Sequence, residues 1–179
     1  MKKLTVSELN RISVEEFKET SKLNVVVALD NVRSLYNVGS VFRTADAFRI
    51  EKVLLGGITA TPQTQPVEIH KTALGAEQSV DWEYCRDLLS DIRRYKENGY
   101  TIVSVEQVHD SVMLNDFVPG NDKKYLLVFG NEVKGVQQSI VDSSDIALEI
   151  PQSGTKHSLN VSVSAGIVMW VFAKSLLFC

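Results

Sequence analysis

Ile150-Pro-Gln-Ser-Gly-Thr-Lys-His-Ser158-Leu-Asn160-Val-Ser-Val-Ser-Ala165 is the stretch whose reading decides the fold. It opens where an apolar strand, Ile146 to Ile150, meets a proline, crosses a small polar loop, and starts a helix near Leu159. From Val161 to Cys179 the chain is almost wholly apolar or small, with Lys174 its one charge. That length approaches a transmembrane span. The alternative is a helix buried on most sides, in a core plus a subunit interface. Burial is the better reading, because Ser162 and Ser164 continue the polar loop and a lone membrane anchor leaves that loop unexplained.

Upstream, apolar runs alternate with amphipathic ones. Ser13-Val-Glu-Glu16 is a capping box, which predicts a short helix from Val14 to about Ser21 within an N-terminal segment of residues 1–23. Val25 to Leu29 reads as a strand apolar on both faces. A helix is predicted from Asn37, with Val38, Val41, Phe42, Ala45 and Phe48 on one side. Then come strand Lys52 to Leu55, a loop of Thr, Pro and Gln, and a weakly helical stretch near Lys71 to Gly75. Cys85 to Asn98 reads as an amphipathic helix closed by Gly99. Strands Tyr100 to Val105 and Tyr125 to Phe129 and a short helix, Gln137 to Val141, complete the series. Strands alternating with helices predict an α/β fold, a parallel sheet with helices on both faces.

The bulk numbers fit one domain spanning residues 1–179, with no Pro/Gly-rich linker and no separate RNA-binding domain. A net charge of −3 and a pI near 5.6 argue against a protein that coats nucleic acid non-specifically. Cys85 and Cys179 form no C-x-x-C pair or disulfide framework, and the N-terminus lacks the apolar core of a signal peptide, so the reading is cytoplasmic. His70 and His109 have no Cys or carboxylate at metal-ligand spacing, and no metal site is expected.

Two further stretches have the shape of ligand sites. Asn37-Val-Gly-Ser-Val-Phe-Arg43-Thr-Ala-Asp-Ala-Phe48 begins where a helix should begin, so Asn37 can cap it and Gly39 leaves the first turn bare for a phosphate or ribose. Arg43 falls off the apolar face, near the N-terminal end. The plain alternative is an N-cap and a solvated Arg. Val128-Phe-Gly-Asn-Glu132-Val-Lys-Gly135 lacks both G-x-G-x-x-G and the phosphate-loop lysine pattern. It is either a β-turn or a strand-end loop in which Gly130 lets a cofactor approach the backbone and Glu132 faces the same pocket. All three stretches lie at or just past strand ends, where α/β sheets bind ligands.

In this order and near this spacing, the three stretches resemble the signature motifs of the SpoU/TrmH branch of the SPOUT RNA methyltransferases. Asn-x-Gly-Ser-x-x-Arg-Thr-Ala matches the first motif, Gly-Asn-Glu-x-x-Gly the second, and Ile-Pro-x-x-Gly-x-x-x-Ser-Leu-Asn-Val-Ser-Val the third. The resemblance implies a C-terminal deep trefoil knot that cradles S-adenosylmethionine, with Gly130, Ile150 and Leu159 touching the cofactor. It implies that Arg43 and Asn37 handle the RNA ribose and its phosphate, and that Ser158 and Asn160 belong to the catalytic pocket. It also implies a homodimer packed through the last helix and the knot region, acting on RNA, without a membrane.

The implied reaction moves a methyl group to a ribose 2′-hydroxyl, and the proton is the awkward part. A guanidinium, which holds its proton throughout the physiological range, is hardly a base. Either Arg43 holds the ribose-phosphate while Glu132 or water takes the proton, or Arg43 is desolvated and acts itself. RNA must be gripped by Arg33, Arg43, Arg49, Lys71, Lys134 and Lys156. A compact tRNA loop suits so small a grip better than an extended rRNA site. The rival readings are a base-methylating SPOUT enzyme and a non-catalytic RNA-binding homologue.

Overall fold

The computed structural model describes residues 1–178; Cys179, and with it any reading of that thiol, lies outside the described residues. In chain order the elements are α1 (Val14–Glu19), β1 (Leu23–Asp30), α2 (Leu35–Ala47), β2 (Ile50–Gly56), α3 (Pro66–Ala73), α4 (Ala76–Ser79) and β3 (Trp82–Cys85). Then follow α5 (Leu88–Glu97), β4 (Tyr100–Val105), β5 (Val112–Met113), β6 (Lys124–Phe129), α6 (Gln138–Val141), β7 (Ile146–Glu149) and α7 (Val161–Leu176). The sheet is seven-stranded in the order β3-β2-β1-β6-β4-β7-β5, and every pairing is parallel.

Both faces of that sheet are covered, which is why its central strands are largely apolar. Val25, Val27, Leu29, Val53, Leu55, Leu127 and Phe129 point to the side packed by α2, α3 and α7. Val26, Ala28, Leu54, Ile102, Leu126 and Val128 point to the other, against Leu88 and Ile92 of α5 and Ile140 of α6. Each side chain fully removed from water contributes on the order of 1.5–3 kcal/mol. A one-residue slip of β1 would exchange two packed surfaces, so its register with β6 (Val27 opposite Leu127) is strongly specified.

Local chemistry explains where the elements start and stop, and where the sequence reading needs correction. The Ser13–Glu16 capping box forms as expected, although α1 ends at Glu19. The helix expected from Cys85 starts later: Cys85 closes edge strand β3, opposite Gly56, and Asp87 caps α5 by accepting from the Ser90 N–H. Gly99, at φ 83°, closes that helix as read. The stretch read as weakly helical near Lys71 is the end of α3, which begins at Pro66, a residue suited to a helix's first position. Helix α7 is shorter than its apolar run. Among the described residues no helix is long and apolar enough to cross a membrane.

Candidate functional site

The loops after β1, β4, β6 and β7 converge at the carboxyl ends of their strands. The β1 loop joins the others through the Arg33 and Ser34 N–H bonds to Glu132, and those after β4, β6 and β7 surround an open cavity of about 660 Å³. Its wall takes Gly130, Glu132, Ile150, Ser158, Leu159 and Asn160 from the second and third stretches, thus joining six of the eight expected site residues. Asn37 adjoins it: its amide nitrogen donates to Glu132 Oε1 at 3.1 Å. Arg43 does not line the cavity; its side chain is exposed on α2, the ninth residue of a helix of thirteen rather than near the N-terminal end.

The first stretch differs from its sequence reading in two ways. Helix α2 begins two residues before Asn37, capped by Ser34, whose Oγ accepts from the Asn37 N–H. Asn37 is therefore buried inside the first turn, and its side chain, freed from capping, reaches the second stretch. Gly39 is not open to a ligand. A Cβ there would lie 2.2 Å from Thr72 Oγ1 and 2.3 Å from the Ile69 carbonyl, so this glycine lets α3 pack against α2.

Glu132 links these parts. Its carboxylate accepts from the N–H groups of Arg33 and Ser34, both at 3.0 Å, and from Asn37. Partial burial pushes its pKa up, but those backbone donors, its own N–H and the Asn37 amide outweigh burial and hold the group below its ordinary value. A carboxylate already engaged by this many donors is a weak proton acceptor and a strong clamp.

Gly130 has a reason internal to the loop. A Cβ at that position would lie 2.0 Å from the Gly135 carbonyl carbon and 2.1 Å from the Val136 nitrogen, because the chain folds back on itself there. Asn131 and Gly135 exchange two backbone hydrogen bonds to close the turn. Asp30, fully buried, accepts from both the N–H and the side-chain amide of Gln137 at 2.7 Å. Across the cavity, Asn160 caps α7 by accepting from the Ser162 N–H, while Ser158 and Leu159 are exposed at the wall.

Glu106 and Gln107 line the cavity and belong to none of the three stretches. Glu106 Oε2 accepts from the Val136 N–H, and Gln107 Nε2 donates to the His157 carbonyl. They follow β4, so the rule that sites form at strand carboxyl ends was the signal that could have found them.

Among the described residues one cluster has donor atoms close enough for a metal: Glu83, Cys85 and Asp91, within 4.8 Å of one another. Arg94 already bridges Glu83 at 3.2 Å and Asp91 at 2.9 Å, and burial, aided by Asp91, pushes the thiol up to about 12. A neutral thiol beside a cation already in place does not fit a metal ion.

Residues 24–170 match the profile of the SpoU rRNA Methylase family. The chain belongs to that family. A putative TrmH family tRNA/rRNA methyltransferase of Staphylococcus saprophyticus is 32% identical over 162 residues, 90% of this chain and 63% of that protein. The chain thus spans less than two thirds of that relative's length. A mouse protein named tRNA (guanosine(18)-2′-O)-methyltransferase TARBP1 is 30% identical over 89% of this chain but only 10% of its own length. The crystal structure of an AdoMet-bound rRNA methyltransferase from Sinorhizobium meliloti superposes with a TM-score of 0.79 at 26% identity, over 90% of this chain and 60% of that one. In this SpoU family member the second and third stretches line the cavity, whereas the first stretch reaches it only through the Asn37–Glu132 hydrogen bond.

Proposed function

We propose that this chain is an S-adenosylmethionine-dependent RNA methyltransferase that modifies a ribose 2′-hydroxyl, acting in the cytoplasm on tRNA in preference to rRNA. The observation that carries the reading is the cavity itself, where the second and third stretches meet at the carboxyl ends of the strands. Its wall holds Glu106, Glu132 and Glu149 against one lysine, Lys134, a balance that complements a cationic sulfonium ligand. The S. meliloti structure supports the cofactor, and the name of the mouse relative supports the ribose oxygen. The reading includes a trefoil knot, with residues 150–160 threaded through the preceding loop.

S-adenosylmethionine bound there would supply an electrophilic methyl group. Gly130, Ile150 and Leu159, which line the cavity, would hold it, and Ser158 and Asn160 would line the approach of the ribose. Arg43 grips the ribose-phosphate and favours the developing alkoxide, since a guanidinium stays charged. Glu132, clamped by its donors, keeps Asn37 and the start of α2 fixed against the cavity, and water removes the proton. Fixed geometry of this kind contributes several kcal/mol to such displacements.

The active unit is a homodimer. Val163, Ile167 and Trp170, at 49%, 37% and 48% exposure, form an apolar stripe on α7 that the subunit leaves uncovered. Phe172, by contrast, is buried inside the subunit, so a charge at Trp170, not at Phe172, tests the dimer. Because Arg43 lies outside its own subunit's cavity, it serves a site shared across that interface. Two variants should then complement each other: mixed dimers of Arg43→Ala and Gly130→Leu would regain activity that neither has alone. An Arg serving its own cavity would leave them inactive.

The overall reading is tested by incubating the protein with S-adenosylmethionine and total tRNA and rRNA, then identifying nucleosides by mass spectrometry. A 2′-O-methylnucleoside is expected. A methylated base would favour the base-methylating reading, and no product would leave a binding protein.

A further inference from the structure

Tyr36 stands directly before Asn37 and remains 52% exposed, although it is a large aromatic side chain on the first turn of a packed helix. Its backbone is fixed, with the Thr72 hydroxyl donating to its carbonyl at 3.0 Å. Its phenol donates to Glu68 Oε2 at 3.4 Å, a long bond made at the hydroxyl end of a side chain that stays half exposed. Glu68 also pairs with Lys71 at 2.6 Å, so the phenol and the ammonium share one carboxylate. That pair is exposed and spaced i,i+3, weak enough for a phosphate to take over the lysine.

Residues 36, 40, 43 and 47 follow the i, i+4, i+7, i+11 spacing of one helix face, and Tyr36, Arg43 and Ala47 are exposed along it. Tyr36 and Arg43 are therefore aligned, about 10 Å apart along the axis. The other sides of α2 are taken by α3, through Gly39, and by the core. An aromatic face and a guanidinium on one open stripe suit a single-stranded nucleic acid, in which a base stacks while a neighbouring ribose-phosphate is held.

We propose that Tyr36 is a stacking platform for an unpaired nucleobase of the substrate RNA, adjoining the nucleotide gripped by Arg43, with Lys71 on the intervening phosphate. This rests on the reading of the protein as an RNA methyltransferase. Stacking needs a flat ring and is indifferent to the hydroxyl. It is also uncharged, so it leaves the salt dependence of binding alone.

The test is fluorescence anisotropy with a labelled 12-nucleotide oligoadenylate and with an abasic chain of the same length. Tyr36→Ala should weaken oligoadenylate binding roughly ten-fold, within the range that loss of one aromatic stack produces. Tyr36→Phe and Tyr36→Trp should bind like wild type, the abasic chain should not distinguish the variants, and the salt slope should not change. Lys71→Ala should lower that slope by about one unit. The proposal fails if wild type binds oligoadenylate and Tyr36→Ala matches it within two-fold, or if Tyr36→Phe is as weak as Tyr36→Ala. A changed sedimentation coefficient for Tyr36→Ala would also overturn it, by assigning the ring to the subunit interface. Wild-type protein that binds no RNA of any kind would sink the RNA reading itself, and this proposal with it.

Discussion

The two loops that wall the cavity are built in opposite ways. Residues 130–137 are tied from every side: Asn131 to Gly135 and to the Asn31 carbonyl, Glu132 to Arg33, Ser34 and Asn37, Val136 to Glu106, and Gln137 to Asp30. Residues 151–160 are all exposed, and their ties are the Gln107 amide on the His157 carbonyl and the Asn160 cap at the end. One wall is formed before a ligand arrives. The other has little to hold it until the ligand supplies contacts, as segments of low local stability do. A site built this way pays the ordering cost of one loop only, while the second remains free to admit the cofactor.

The sharpest way to break this contrast is to make the same substitution in both loops. Gly130→Ala drives a methyl group into the backbone of residues 135 and 136. Overpacking of about 1–3 kcal/mol should reduce S-adenosylmethionine affinity roughly ten- to a hundred-fold, read by calorimetry. Gly154→Ala meets nothing within 4 Å and should bind within about two-fold of wild type. Equal losses would mean that both loops are already packed.

A smaller effect is expected on stability. Asp30→Ala leaves the Gln137 N–H without its buried acceptor, which should cost about 1–3 kcal/mol in urea unfolding. Gln107→Ala removes one exposed hydrogen bond to the open loop and should cost about 0.5 kcal/mol or less. The smallest effect is a pH dependence. Glu132 is held below its ordinary value of 4.5, so its contribution is present above that pH and lost as pH falls through its lower folded-state value. The stability gap between wild type and Glu132→Gln should be constant near neutrality and shrink below about pH 4.5. A gap that widens in acid would reverse the sign.

The sequence reading reached the tied loop and the open loop alike, but not their difference. Strands such as Val25 to Leu29 were legible because both faces are buried and the run is apolar throughout. Edge strand β3, Trp82–Cys85, was not, since only Cys85 is buried and the segment merges with the amphipathic helix after it. The two-residue β5 carries no periodic signal at all. At the site, motif residues announced the cavity wall, yet Asn37 looked like a helix cap because the helix was expected to begin there, whereas Ser34, three residues earlier, takes that role. Glu106 and Asp30 stayed hidden because their partners are backbone groups some 30 and 107 residues distant in the chain. The Arg43 motif was legible, while the residue's place outside the cavity depends on packing that no local pattern encodes.

Hydrogen exchange with and without S-adenosylmethionine tests the central claim most directly, because it reads both loops in one experiment. In the free protein, amides of residues 131–137 should already be protected and those of 152–160 should exchange fast. Saturating cofactor should slow the second group by ten-fold or more and change the first by much less, in line with the shift that ligand binding imposes on local opening. Protection that grows in the first loop while residues 152–160 stay unchanged would contradict the account, and would move the cofactor away from the third motif.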